Sequence, residues 1–308
     1  MACTSEPEPE PSTPNQALAE GVEEIADTTT SAAPRKPTRS VRITRDQLTQ
    51  ALTRDYVGVD MLHLDLLPQP ATQTKVLATT KTGAPEESVD PCDALDLTTL
   101  AGRAREVRHL RITGCGHTIG AGLAAWTQLE HLELADIAIA GDVMRALGKL
   151  DTLPHLTLTR VQTGQAPVSL LHHKLELEHL TLRELGKDSA LASLLAKTPS
   201  LKRVELIGPW AGHRAMLALA GAARLTHLQL IDTAVGNFSL NQIKGLEKLQ
   251  TVELRGSTFN NNSPLYLREL PVESFTCSCP GLGDRGLVAL SRVQSLQSIE
   301  LHHADIHS

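Results

Sequence analysis

The chain has 308 residues, of which 41% are hydrophobic, 21% charged and 2% aromatic, with a formal net charge of −6. This balance excludes a general nucleic-acid binder, which would carry a basic stripe, and no run approaches the roughly 18 apolar residues of a membrane span. The shortage of aromatic residues requires a core of aliphatic side chains, and the odd set of cysteines (Cys3, Cys92, Cys115, Cys277, Cys279), with no apolar leader after Met1, points to folding in a reducing cytosol.

Residues 1–40 read as a disordered polar leader. The acidic stretch Glu6 to Pro11, the run Thr28 to Ser31 and the basic segment Pro34 to Arg42 have no apolar periodicity. A solubilising tail is the plain interpretation and a secretion or targeting leader the sharper one. Residues 41–105 read as an N-terminal cap with degenerate repeats. Leu48 and Leu52 lie four apart after Thr44, a good N-cap, which predicts a short amphipathic helix over Arg45 to Arg54. Met61, Leu64 and Leu66 form a partial box that would put His63 in the slot His131 occupies later. Met61 stands 46 residues before Val107, so a degraded copy is expected between them, with a strand near Lys75 to Ala78.

From residue 106 to 308 one phrase organises the chain. A Leu-x-x-Leu-x-Leu box, clearest as LEHLEL (Leu129 to Leu134) and LEHLTL (Leu177 to Leu182), opens at Val107, Leu129, Leu153, Leu177, Leu201, Leu225, Leu249, Val272 and Leu296. The steps are 22, 24, 24, 24, 24, 24, 23 and 24 residues; so steady a beat marks a repeat architecture of about nine units. Leu132 and Leu134 lie two apart and share one face of a strand, while His131, Glu133 and Ala135 take the other. One repeat cannot bury its leucines alone. Stacked neighbours bury them, at about 25 cal/mol for each Å² removed from water.

The period and box together resemble the leucine-rich repeat family over Leu100 to Leu301. The resemblance implies an α/β solenoid, with a curved parallel sheet on the concave side and helices on the convex side, and a protein-binding role. Leu191, Leu194 and Leu195, then Leu240, Ile243 and Leu246, then Leu287 and Leu290 have helical spacing in the return segments. Gly281 to Leu301 looks like the 24-residue helical subclass of bacterial and ribonuclease-inhibitor-like members. The chain departs from that family's commonest pattern in one slot. Three residues after the box, where Asn or Cys is usual, stand Cys115, Ile137, Val161, Leu185, Pro209, Thr233, Ser257, Pro280 and Ala304. Without an amide ladder there, main-chain bonds must close most turns.

Three columns of strand residues face away from the leucines. The first runs His109, His131, His155, His179, Arg203, His227, Thr251, Ser274, Ser298; the second Arg111, Glu133, Thr157, Thr181, Glu205, Gln229, Glu253, Thr276, Glu300; the third Thr113, Ala135, Thr159, Arg183, Ile207, Ile231, Arg255, Ser278, His302. The candidate partner-binding residues are His109, Arg111, His131, Glu133, His155, His179, Arg183, Arg203, Glu205 and His227, with Arg203 the expected hot spot because its planar fork can grip a carboxylate. Binding there should be pH-sensitive, since histidine titrates near 6.5.

Duller interpretations compete with each chemical temptation. The histidine column could bind a metal, but a flat column lacks tetrahedral convergence, so the histidines read as structural or partner contacts, with no metal and no cofactor. Cys277 and Cys279 read as core packing. The glycine-rich GCGHTIGAG (Gly114 to Gly122) lacks the Lys-Ser/Thr ending of a phosphate loop and reads as a repeat turn. No Ser, His and acid converge in a pocket, so no catalytic residue is assigned. The first hypothesis is a scaffold that captures a protein partner on its concave sheet, in the cytoplasm or delivered into a host cell as a bacterial effector, with no nucleic-acid or membrane partner. The alternative is an enzyme, either metal-dependent or with its chemistry in the 41–105 segment. Weak self-association through the C-terminal edge strand is also expected.

Overall fold

The computed structural model describes residues 39–67, 95–115, 119–138, 141–150, 152–162, 176–186, 191–256 and 258–305. Eleven strands of five residues each form one sheet: β1 (Ser40–Thr44), β2 (Met61–Asp65), β3 (His109–Thr113), β4 (His131–Ala135), β5 (His155–Thr159), β6 (His179–Arg183), β7 (Arg203–Ile207), β8 (His227–Ile231), β9 (Thr251–Arg255), β10 (Ser274–Ser278) and β11 (Ser298–His302). Their spatial order is their chain order. Every pairing is parallel and in register, so His109 lies beside His131, His131 beside His155, and so on to Ser298. A parallel pair needs a crossover between its strands, and here the crossovers carry short helices: α1 (Leu48–Ala51), α2 (Leu97–Arg103), α3 (Gly120–Leu123), α4 (Gly141–Leu147), α5 (Ala192–Lys197), α6 (His213–Leu219), α7 (Asn237–Leu240) and α8 (Asp284–Leu290).

The core is a set of aliphatic ladders. Leu110, Leu132, Leu156, Leu180, Val204, Leu228, Val252 and Phe275 stack in one inward position, and Ile112, Leu134, Leu158, Leu182, Leu206, Leu230, Leu254 and Cys277 in the next, all buried. The expected helices of the later repeats are present: Leu191, Leu194 and Leu195 pack from α5 and its N-cap, Leu240 and Ile243 from α7 and the 3-10 turn Asn241–Ile243, and Leu290 from α8.

The turn after each strand is closed by the main chain. The amide after each strand donates to the last carbonyl of the next: Gly114 to Ala135, Asp136 to Thr159, Arg160 to Arg183, Glu184 to Ile207, Gly208 to Ile231 and Asp232 to Arg255, all at 2.8–3.0 Å. These residues have positive φ. Four are not glycine: Asp136 (55°), Arg160 (49°), Glu184 (51°) and Asp232 (50°), a conformation that costs an L-residue on the order of 1 kcal/mol. The following slot, in place of an amide, holds buried Cys115, Ile137, Val161, Leu185 and Thr233, so it extends the core.

At the N-terminal end the sequence frame needs correcting. Met61 pairs with His109 and His63 with Arg111, so His63 belongs to the second column and not to the slot of His131. The box therefore starts at Val59, with Leu62 and Leu64 inward, all three buried. Val59 is 48 residues before Val107, two full periods, whereas Met61 gave the uneven 46. β2 nevertheless pairs directly with β3, so the interval contributes no intervening strand to this sheet; Lys75 to Ala78 lie outside the described residues. β1, at the boundary assigned to the leader, adds a strand that composition hid. The predicted helix over Arg45 to Arg54 is shorter, a 3-10 turn (Arg45–Gln47) leading into α1, with the Thr44 amide donating to Gln47 Oε1.

One further reading changes and another gains a second role. Cys277 and Cys279 are buried, as core packing requires, but a disulfide joins them across a Cα–Cα distance of 5.5 Å, and Cys115 is also disulfide-bonded. Both sulfurs point inward because the turn after β10 brings position 279 back over the core. In GCGHTIGAG, Gly114 takes φ +82° in the turn after β3, as the repeat-turn reading has it, and a Cβ at Gly122 would meet Leu97 Cβ at 2.4 Å, which is what brings α3 against α2.

Candidate protein-binding face

The register sets the candidate residues on one surface. β3 to β6 place His109, His131, His155 and His179 in a continuous row, because parallel in-register strands repeat every side chain at about 4.8 Å. The rings use that spacing. His109 and His131 stack with centroids 4.1 Å apart and planes at 12°, His131 and His155 at 3.9 Å and 19°, and His155 and His179 meet edge-on at 4.1 Å and 81°. All four are half-buried. Partial desolvation, then the neighbouring imidazoles, lower the His131 pKa to about 4. Burial is also the first cause that lowers His155, His179 and His227. The row is thus a half-dry ribbon in which burial disfavours the charged form of His131, His155 and His179.

Beside it the second column is charged. Arg111 faces Glu133 at 3.5 Å, and together with Met61, His63, His109 and His131 they line a shallow cavity of about 170 Å³. Further along, Gln229 Nε2 donates to Glu253 at 2.8 Å and Arg255 Nε donates to Glu253 at 2.5 Å. Thr181 donates to Glu205 at 3.3 Å. Arg183 and Arg203, on the adjacent strands β6 and β7, are exposed and carry no ion pair among the described residues. All ten candidate residues thus fall on the six adjacent strands β3 to β8. The third column is not wholly outward: Ala135 and Thr159 are buried, at 1% and 7% exposure.

Two flanking rows escaped the sequence reading. Before the strands, Arg108 donates to Glu130 at 2.7 Å and Lys202 to Glu178 at 2.6 Å. After them, Arg160 Nε and Nη2 clasp Asp136 at 2.5 and 2.8 Å while Nη1 reaches Glu184 at 2.8 Å. The signal was present: box position two reads Arg108, Glu130, Pro154, Glu178, Lys202, and the residue two after the box reads Asp136, Arg160, Glu184. Charges of opposite sign one repeat apart become neighbours once strands are parallel and in register.

Eleven in-register parallel strands in chain order, each backed by an apolar ladder and returned by short helical or turn segments, leave one architecture. The fold is a leucine-rich-repeat solenoid. The sheet is open and curved. No family model and no curated protein matches the sequence. Among solved structures the solenoid is similar to an internalin, InlF, of Listeria monocytogenes (18% identity, TM-score 0.45, covering 69% of this chain and 66% of that one). It is also similar to internalin C2 of the same organism (16%, TM-score 0.31, 58% and 74%) and to a leucine-rich-repeat protein of Leptospira interrogans (11%, TM-score 0.28, 88% and 95%). The chain therefore spans just under two thirds of the length of InlF. Among the described residues of the solenoid, no helix is long and apolar enough to cross a membrane.

Proposed function

We propose that the solenoid is a protein-binding scaffold whose concave face, from β3 to β8, takes an acidic segment of a protein partner. The observation that carries this is the contrast among arginines. Arg111, Arg160 and Arg255 are satisfied by carboxylates of the chain itself, whereas Arg183 and Arg203 stand exposed with no carboxylate partner among the described residues. Arg203 lies in the first column and Arg183 in the third, one strand away and four residues along, so their backbones are separated by about 13 Å along the strand at 3.3 Å per residue. Two carboxylates at that span, on a helix or an extended segment, would each meet one guanidinium fork. The half-buried histidine ribbon beside them supplies a surface that gives up its water cheaply. Delivery into a host cell and a leader role for residues 1–40 belong to the same proposal; the Cys277–Cys279 disulfide and the disulfide-bonded Cys115 speak against the cytoplasmic residence that the cysteine count suggested.

The test is affinity capture by the full chain and by an Arg183→Ala/Arg203→Ala variant of equal melting temperature. A partner held by the first and weakened by about 30-fold or more in the second, equivalent to at least 2 kcal/mol, is expected of a central anchor pair. A partner retained equally by both, or held by residues 1–38 alone, overturns the proposal.

A further inference from the structure

One end of the histidine ribbon differs from the rest. One imidazole nitrogen from His109, one from His131 and a carboxylate oxygen of Glu130 all lie within 4.8 Å of one another, and all three residues are half-buried. Glu130 precedes β4 and reaches the same end of the sheet as the two stacked rings. Among the described residues this convergence occurs once. One repeat later Pro154 occupies the position of Glu130, so the His131 and His155 stack has no carboxylate of its own. Two repeats later Glu178 occupies it, paired with Lys202 as Glu130 is with Arg108, but there the His155 and His179 rings meet edge-on instead of stacking.

We infer that His109, His131 and Glu130 form a binding site for a divalent late first-row transition metal ion, of the zinc and cobalt kind. Two imidazoles and a carboxylate match that class; Mg²⁺ and Ca²⁺ prefer an all-oxygen set. With metal–nitrogen distances of about 2.0–2.1 Å, tetrahedral ligand atoms sit about 3.4 Å apart, so from atoms within 4.8 Å of one another the set closes by ring rotation that gives up the near-parallel His109–His131 stack. The flatness of the column, which argued against a metal in the sequence, is overcome because Glu130 approaches from the row beside it. Arg108, at 2.7 Å from Glu130, holds the carboxylate in place, as outer partners of ligands do. With Arg111 opposite Glu133 in the next column, the charges around the site balance before the ion's own is counted. Three protein ligands leave a fourth position facing solvent on the concave side, open to water or to a donor from another molecule. This inference does not depend on a protein partner.

The experiment is titration of the metal-free full chain with Co²⁺, followed by visible absorption, and displacement with Zn²⁺. A saturable band at one equivalent that Zn²⁺ removes is expected. Glu130→Gln and His131→Ala should each weaken Co²⁺ binding by about tenfold or more, while His227→Ala, in the same column on β8, should leave it unchanged. Glu130 is exposed enough for its glutamine variant to keep the fold, and melting temperatures without metal check both variants. No saturable band, or a band that survives Glu130→Gln, or one lost in His227→Ala, overturns the site.

Discussion

The two halves of the solenoid hold their repeats together by different means. From β3 to β7 the strands are tied side chain to side chain along three rows: Arg108 with Glu130 and Glu178 with Lys202 before the strands, the histidine stack upon them, and Asp136, Arg160 and Glu184 after them. From β8 to β11, besides Gln229 with Glu253 on the strands, the tie lies further along the segments that follow the strands. There Asn237 Nδ2 donates to Asn260 Oδ1 at 2.9 Å, Ser263 donates to Asn237 Oδ1 at 2.6 Å, and Asn261 Oδ1 accepts from the amides of Gly283 and Gly286 at 2.7 and 2.9 Å. The amide ladder missing from the turn after the box thus has a counterpart elsewhere. The teaching is that polar groups satisfy a solenoid equally well as exposed ion pairs or as partly buried amides, but the energies differ. Exposed pairs are worth little, while an amide that caps two main-chain donors is hard to replace.

Predictions on stability separate these means, beginning with the element both halves share. Leu180→Ala, in the central ladder, should destabilise by about 2–5 kcal/mol in denaturant melts. Leu48→Ala in α1 should fall in the same range, because both leucines are 1% exposed; a negligible loss at Leu48 would show that α1 opens independently of the sheet. Asn261→Ala leaves the Gly283 amide without its acceptor, while Gly286 keeps its bond to the Gly283 carbonyl, and should cost about 1–3 kcal/mol, visible also as faster hydrogen exchange at Gly283. Arg160→Gln, whose side chain is half exposed along with Glu184, should cost less than about 1 kcal/mol, and less still in high salt. If Arg160→Gln matched Asn261→Ala, the contrast between the halves would fail.

Acid should act on the first half. His131 has a folded pKa of about 4 against 6.5 unfolded, through burial first and then its imidazole neighbours. The unfolded chain therefore binds the proton first, and the contribution of the ribbon, complete above 6.5, should be lost as pH falls toward about 4. The groups facing it are His109, His155, Glu130 with Arg108, and Arg111 with Glu133. Melting temperature should decline through that window in the wild type and less steeply in His131→Gln; carboxylates such as Asp136, held low by Arg160, act at still lower pH.

The smallest effect concerns association. Ile299 on β11 is 47% exposed, and no described strand lies beyond it. Ile299→Lys should reduce any concentration-dependent increase in mass seen by light scattering.

Most of the fold was legible because a period-two strand pattern, repeated every 24 residues, admits few arrangements. The columns could be written from the boxes alone, and the pairing reproduces them residue by residue from His109 to Ser298. The errors have local causes. Met61 was misread as the box opener because Met61, Leu64 and Leu66 mimic the spacing that Val59, Leu62 and Leu64 hold. β1 was missed because a single strand beside a polar run leaves no period. At the site, sequence showed which residues share a face but not how deeply each sits, so the burial of Ala135 and Thr159 was hidden, and so was the approach of Glu130 from the neighbouring row.

The register has a consequence for how such a surface can change. Steps of 22, 23 and 24 residues all deliver a strand into the same alignment, so differences in length are absorbed in the return segments and never reach the face. The sheet behaves as a ruler with divisions of about 4.8 Å. Loss or duplication of one whole unit between β3 and β7 would leave every remaining column intact and would move the imidazole pair at one end toward or away from Arg203 by a single division. Distance between two recognition groups is then a quantity the gene can edit in whole steps, independently of the chemistry at either end.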